Sequence, residues 1–206
     1  SLRKLEAEIT RKAKMEELEH FIKVIECDGF GEKLITQLYD NGFVQDPADF
    51  FSLQKENLLE LERMGEVLAT KLIGNIQAKR KIPPDVFLRS LGIRELARHS
   101  SKILVREFKT LDRIFKVTEE ELSAIHTIGP VIAREVVEGL KKKRGLIERL
   151  LKHVALTSPP TPLSLPLRLR SGQARRGGEG GEVSITTHDT AAIDGSASPR
   201  KPKVLI

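Results

Sequence analysis

Cys27-Asp-Gly29-Phe-Gly31-Glu-Lys33 sets two glycines around one apolar residue, with a lysine two positions on. Glycines at a helix entrance leave backbone N–H groups open to a phosphate, and a nearby lysine adds positive charge. Such a stretch can serve a nucleotide cofactor, a nucleotidyl transfer or a nucleic-acid backbone. A dinucleotide site needs G-x-G-x-x-G after a strand, but position 34 is Leu and the preceding residues have helical character. The phosphate loop G-x-x-x-x-G-K-[ST] is absent. A lysine nucleophile of the type K-x-D-G is approached only by Glu26-Cys-Asp-Gly29, where glutamate stands in the lysine's place. Cys27 is the single cysteine, which excludes an internal disulfide and a multi-cysteine zinc site. His20, His99, His126 and His153 show no metal-ligand spacing. With no nucleophile, metal cluster or acid–base pair in the chain, backbone phosphate is the chemistry that remains.

The same pattern recurs downstream, and a repeat governs how everything else is read. With Gly31 as position zero, equivalent positions are Gly65, Ala97 and Gly129, at spacings of 34, 32 and 32 residues. One residue earlier stand Phe30, Met64, Leu96 and Ile128; four earlier, Cys27, Leu61, Ile93 and Ile125. Four residues later come Ile35, Ala69, Ser101 and Ala133, and seven later Leu38, Leu72, Leu104 and Val136. Each unit therefore predicts a short helix, a tight turn in which glycine admits a left-handed backbone and a close approach, and a second helix. The small residue four positions on lets the two helices pack tightly, and Pro130 suits the first turn of the fourth unit's second helix. This is a helix-hairpin-helix unit, whose hairpin can hold a backbone phosphate without reading a base.

The elements around the hairpins follow from composition. Residues 1–24 lack Gly and Pro, and Leu2, Leu5, Ile9, Met15, Leu18, Phe21, Ile22 and Ile25 give an interrupted apolar face, which reads as an amphipathic lead-in helix, continuous or with a break near residue 13. Residues 25–154 form the repeat region, with units near 24–40, 58–74, 87–106 and 121–140. From Ala155 to Ile206, Pro, Gly, Ser and Thr dominate, which reads as a disordered, low-complexity linker. Through Val154 there are 28 basic and 25 acidic residues, with 7 and 4 after it, so a basic surface must come from arrangement. The net charge of +6 mildly favours an acidic partner, and no apolar run is long enough to cross a membrane. The fold class is thus all-α: four tandem units in one compact domain, a lead-in helix and a disordered tail.

The stretches "GFGEKLITQLYDNGFVQDPADFFSL", "LLELERMGEVLATKLI", "FLRSLGI" and "IHTIGPVIAREV" closely resemble successive pieces of the helix-hairpin-helix domain of bacterial NAD-dependent DNA ligases. The resemblance covers roughly residues 20–154. It implies a domain that grips duplex DNA around a nick through phosphates on the minor-groove side, while separate domains carry out adenylyl transfer. NAD is implied only for those domains; this chain carries no cofactor site of its own. The implied phosphate contacts are Gly29, Gly31 and Lys33 in the first hairpin, Gly65 with Glu66 in the second, and Gly129 with Val131 in the fourth. Lys71, Arg98, Lys102 and Arg134 are basic residues placed to add contacts or, equally, to form solvated helix faces. In the third unit Ala97 replaces the turn glycine and Glu95 precedes it, so that unit is expected to be structural. The Lys141-Lys-Lys-Arg144 run suits either DNA or the negative end of a helix.

The family's four-cysteine zinc module, adenylation domain and oligonucleotide-binding domain have no counterpart here, and Lys201-Pro-Lys-Val-Leu-Ile206 resembles at most the first strand of a BRCT domain. Nicked double-stranded DNA and ligase catalytic domains, in cis or in trans, are the implied partners, and the bacterial cytoplasm and nucleoid the implied location. The alternative, from a different class, is a helical protein-interaction scaffold whose hairpins touch no DNA.

Overall fold

The computed structural model describes residues 2–157, which are all-α apart from one pair of two-residue strands. The order is α1 (Leu2–Val24), α2 (Glu32–Asp40), a 3-10 helix (Pro47–Ser52), α3 (Lys55–Leu59) and α4 (Glu66–Ala78). Then come β1 (Lys81–Ile82), α5 (Pro84–Ser90), α6 (Arg98–Phe108), α7 (Leu111–Ile114) and α8 (Glu119–Ser123). The last described elements are α9 (Pro130–Lys142), α10 (Arg144–Leu151) and β2 (Ala155–Leu156). Helices pack as consecutive pairs, α1 with α2, α3 with α4, α5 with α6 and α8 with α9, which are the four hairpins the repeat predicts.

Repeat positions are core positions. The residues four places after the turn (Ile35, Ala69, Ser101, Ala133) and seven places after it (Leu38, Leu72, Leu104, Val136) are all buried. Ser101 resolves its buried hydroxyl by donating to the Leu96 carbonyl at 3.4 Å. Between the first hairpin, α1 and the 3-10 helix, Phe21, Phe30, Phe50 and Phe51 form an aromatic cluster with centroids 5.6–6.4 Å apart.

Hairpins are fastened to one another in pairs. In the first pair, α4 reaches the first turn, where Asn75 Nδ2 donates to the Asp28 carbonyl at 3.0 Å. Reciprocally, α2 reaches the second turn, where the Glu62 N–H donates to Gln37 Oε1 at 3.1 Å. Asp28 and Glu62 occupy the same position, three before the turn glycine. In the second pair, Gly139 of α9 brings its backbone hard against the Ile93 side chain of the third hairpin.

Beginning a linker at Ala155 is one element too early. Ala155 and Leu156 pair in parallel with Lys81 and Ile82, the Ala155 N–H donating to Arg80 at 2.6 Å and the Thr157 N–H to Ile82 at 3.0 Å. Sequence alone could not show this, because a two-residue strand has no periodicity. Arg80 makes the closure hold: its guanidinium donates to the carbonyls of Phe51 at 2.9 Å and His153 at 3.0 Å and lies over the Phe51 ring. Arg80→Ala is expected to lower unfolding stability by about 2 kcal/mol, since two charge-assisted bonds are lost and the His153 carbonyl is orphaned, while the Phe51 carbonyl keeps a donor in Gln77 Nε2. Urea unfolding monitored by circular dichroism measures it, and an unchanged midpoint would remove Arg80 from this role. The rest of the expected linker, with its closing stretch Lys201–Ile206, lies outside the described residues.

Only half of α1 belongs to the core. Leu18, Phe21 and Ile22 are buried, whereas Leu2, Leu5 and Ile9 on the first three turns face solvent. The helix is held by a bidentate Arg11–Asp40 pair, by a bond between His20 Nε2 and the Arg89 carbonyl at 2.9 Å, and by Glu17. Burial alone would raise the Glu17 pKa, but the hydrogen bonds and charges of Lys143 and Lys14 outweigh it and hold the carboxyl below its ordinary value of 4.5. A folded-state pKa below the unfolded one contributes stability that is complete above pH 4.5 and is lost as pH falls through the depressed value. Glu17→Gln is therefore expected to flatten the acid limb of a stability–pH curve below pH 4.5. If the limb kept its slope, Glu17 would not be the group that sets it.

Candidate nucleic-acid interface

The four second helices, α2, α4, α6 and α9, begin identically. Their N-cap residues Gly31, Gly65, Ala97 and Gly129 have extended backbones (φ −75 to −97°), and none caps the helix with a side chain. In each, the carbonyl of the N-cap accepts the first helical bond, from Ile35, Ala69, Ser101 and Ala133 at 2.9–3.0 Å. The N–H groups of the first turn keep no partner within the helix. Several other helical starts are capped: Asp46 accepts from the Ala48 N–H at 2.9 Å, Thr110 from Arg113 and Thr118 from Glu121 at 3.3 Å. Open amides are thus shared by all four second helices, with α5 and α10 also lacking a side-chain cap.

In three of the four turns a left-handed residue is present, and it is not the one the sequence suggests; the fourth turn has none. Gly31, Gly65 and Gly129 have ordinary negative φ, and positive φ falls two residues earlier, at Gly29 (+93°), Arg63 (+58°) and Glu95 (+66°). Nor is glycine needed at the turn for internal space, since a Cβ built on Gly31, Gly65 or Gly129 meets nothing within 4 Å. Three hairpins of four carry glycine where neither backbone nor packing requires it.

Every residue expected to touch phosphate is exposed: Gly29, Gly31, Lys33, Gly65, Glu66, Lys71, Arg98, Lys102, Gly129, Val131 and Arg134. Gly31, Gly65 and Gly129, with the amides that follow, form the open helix starts. Gly29 serves the first turn internally, through its φ and its contact with Leu72. Lys33, Lys71, Arg98 and Lys102 form no ion pair among the described residues, whereas Arg134 lies 3.7 Å from Glu119. Lys102 and Arg134 are equivalent, five places after their turns. Glu66 contributes its amide, but its exposed carboxylate competes with a phosphate there and is drawn toward Lys55 at 3.2 Å; Glu32 stands at the same point of the first unit. Pro130 removes one donor from the fourth, leaving the amides of Val131 and Ile132.

The turn of the third hairpin faces α1, while Arg98, His99 and Lys102 of its second helix stay exposed. Together with α1 that turn lines a cleft containing Glu17, His20, Arg94, Glu95 and Lys143. Of the basic run at 141–144, Lys142 approaches Glu138, Lys143 pairs with Glu17 and Arg144 with Glu148. Cys27 is buried, and that burial pushes its thiol up to about 11, with Lys79 opposing the shift, so it is not a poised nucleophile. Val67, exposed at the second hairpin, carries no motif signal; only aligning it with Val131 two places after the turn singles it out. Among the described residues no His/Cys/Asp/Glu group could hold a metal ion, and no helix is long and apolar enough to cross a membrane.

The family model for the helix-hairpin-helix motif matches residues 86–145, the third and fourth hairpins. A DNA ligase of Syntrophus aciditrophicus (strain SB) is 37% identical over 155 residues, covering 73% of this chain and 23% of the relative. A DNA ligase of Anoxybacillus flavithermus (strain DSM 21510 / WK1) is 40% identical over 139 residues, 66% of this chain and 21% of the relative. The chain spans less than a quarter of the length of these two relatives. Four hairpins in register, the motif match and the two relatives agree: the chain is a helix-hairpin-helix region similar to that of DNA ligases.

Proposed function

We propose that the chain is the non-catalytic, sequence-independent duplex-binding part of a DNA ligase, holding DNA beside a nick through its backbone phosphates. The observation that carries this is the triple occurrence of glycine at Gly31, Gly65 and Gly129, each beside uncapped amides and each unneeded by φ or packing. A phosphate accepts from such amides, and a side chain at the turn would hold it off. Lys33, Lys71, Arg98 and Lys102 supply charge that raises affinity without selecting sequence. Adenylyl transfer, and with it NAD, belongs on this reading to the remainder of the ligase, and the location to the bacterial cytoplasm. The exposed Leu2, Leu5 and Ile9 of α1 favour a protein contact at that end, alongside DNA binding.

Titrating the chain into labelled nicked and intact duplexes across a salt series tests this. Binding should tighten at the nick and fall with salt, log K against log[salt] losing about 0.9 per phosphate neutralised. Lys33→Ala should reduce that slope by about 1. Absence of binding at low salt would leave the scaffold reading in its place.

A further inference from the structure

Apart from the projecting half of α1, the two most exposed large apolar side chains among the described residues are Val67 (87% exposed) and Val131 (73%). They are equivalent, each two residues after the turn glycine of an even-numbered hairpin. The odd-numbered hairpins carry Lys33 and His99 there. Leu68, next to Val67, is also exposed, so the second hairpin presents an apolar pair. Neither valine is required by its own helix: both sit in the first turn, on the side away from the buried Ala69 and Ala133.

We propose that Val67 and Val131 are apolar contacts to the deoxyribose edges flanking the bound phosphates, and that the hairpins are of two kinds. Odd hairpins offer a polar side chain two places after the turn, Lys33 or the imidazole of His99, and even hairpins an aliphatic surface. This rests on the duplex-binding reading above. The chemistry is complementary: the sugar presents C–H surface beside the phosphate that the neighbouring amides hold. A branched side chain standing off the first turn removes that surface from water without approaching the charged oxygens. In the fourth hairpin Pro130 adds a second aliphatic group and takes away an amide, shifting that unit further from hydrogen bonding toward apolar contact.

Apolar and ionic contacts separate in a salt series, because only the ionic ones release counterions. The experiment compares the full chain, Val67→Ser/Val131→Ser and Lys33→Ala on one nicked duplex at four salt concentrations, with circular dichroism confirming the fold. The double variant should bind about tenfold more weakly at every salt concentration, with a slope equal to that of the unaltered chain. Lys33→Ala should instead change the slope. If the unaltered chain binds and the double variant binds equally well, the proposal is overturned and duplex binding stands. A changed slope in the double variant overturns it as well, since the valines would then be acting on the ionic contacts. If the unaltered chain binds no duplex, both readings fall together. Loss of association with the remainder of a ligase, at unchanged DNA affinity, would make the valines a protein contact and overturn it too.

Discussion

Replacing Gly65 and Gly129 together by valine is expected to weaken binding to a nicked duplex by about a hundredfold while leaving the fold intact. Each turn glycine stands at φ near −75 to −97° with ψ near 165°, a conformation valine adopts freely, and no neighbouring atom obstructs its Cβ. The cost to the protein is that of a poor N-cap, about 1 kcal/mol per site. That should lower the melting temperature by roughly 2–4 °C per site in a domain of this size. The cost to the complex is larger. Two methyl groups at the turn hold the phosphate out of reach of the amides behind it, and a hydrogen bond to a charged group contributes about 1.5–3 kcal/mol. Losing one such bond per hairpin is roughly tenfold each. Fluorescence anisotropy measures the affinity and a thermal melt the stability. Unchanged affinity in a folded double variant would show that the glycines are not there for phosphate, and the hairpins would then be packing devices.

Much of this was legible in the chain. Apolar and small residues recurring at −4, −1, +4 and +7 around Gly31, Gly65, Ala97 and Gly129 can be aligned without coordinates, and nearly all are buried. The hairpin geometry was less so. Glycine at the turn suggests a left-handed turn residue, but the left-handed positions are two earlier, where Arg63 and Glu95 occupy them. Neither side chain announces that conformation, and only the tertiary turn imposes it. The pairing of Arg134 with Glu119, and of Gln37 and Asn75 with the opposite turns, joins residues 15 to 47 apart in sequence. No local pattern predicts such contacts. The lead-in helix shows the limit of periodicity: on the unbroken α1, Leu2, Leu5 and Ile9 form an apolar face of their own, opposite that of Leu18 and Ile22, and only the second meets a core. An amphipathic pattern says which face would be buried, not whether anything arrives to bury it.

Gly29 and Gly31 are two residues apart, and valine should act on them in opposite ways. At Gly29 the backbone has φ +93°, a region from which a β-branched side chain is strongly disfavoured, at a cost of about 1–2 kcal/mol. A Cβ there would also lie 2.5 Å from Leu72 Cδ2, on the α4 surface that the first turn abuts. Leu72 is buried and cannot swing away, so the overpacking adds about 1–3 kcal/mol. The bond from Asn75 to the Asp28 carbonyl, which ties the second hairpin to the first, shares this contact and would be pried open. Gly29→Val should therefore lose roughly 3 kcal/mol and depress the melting temperature by about 10 °C. Its DNA affinity would fall mainly because the first two hairpins no longer hold each other in place. Gly31→Val, at φ −81° and facing open space, should melt nearly as the unaltered chain does and lose affinity alone. Melting curves of the two variants decide the matter. A stable Gly29→Val protein would mean that the turn can be rebuilt without its left-handed residue, and an unstable Gly31→Val protein that the space beside the turn is not free. Either result would separate the repeat's glycines differently, because their proposed division of labour, one for the chain and one for the ligand, depends on both halves of the contrast.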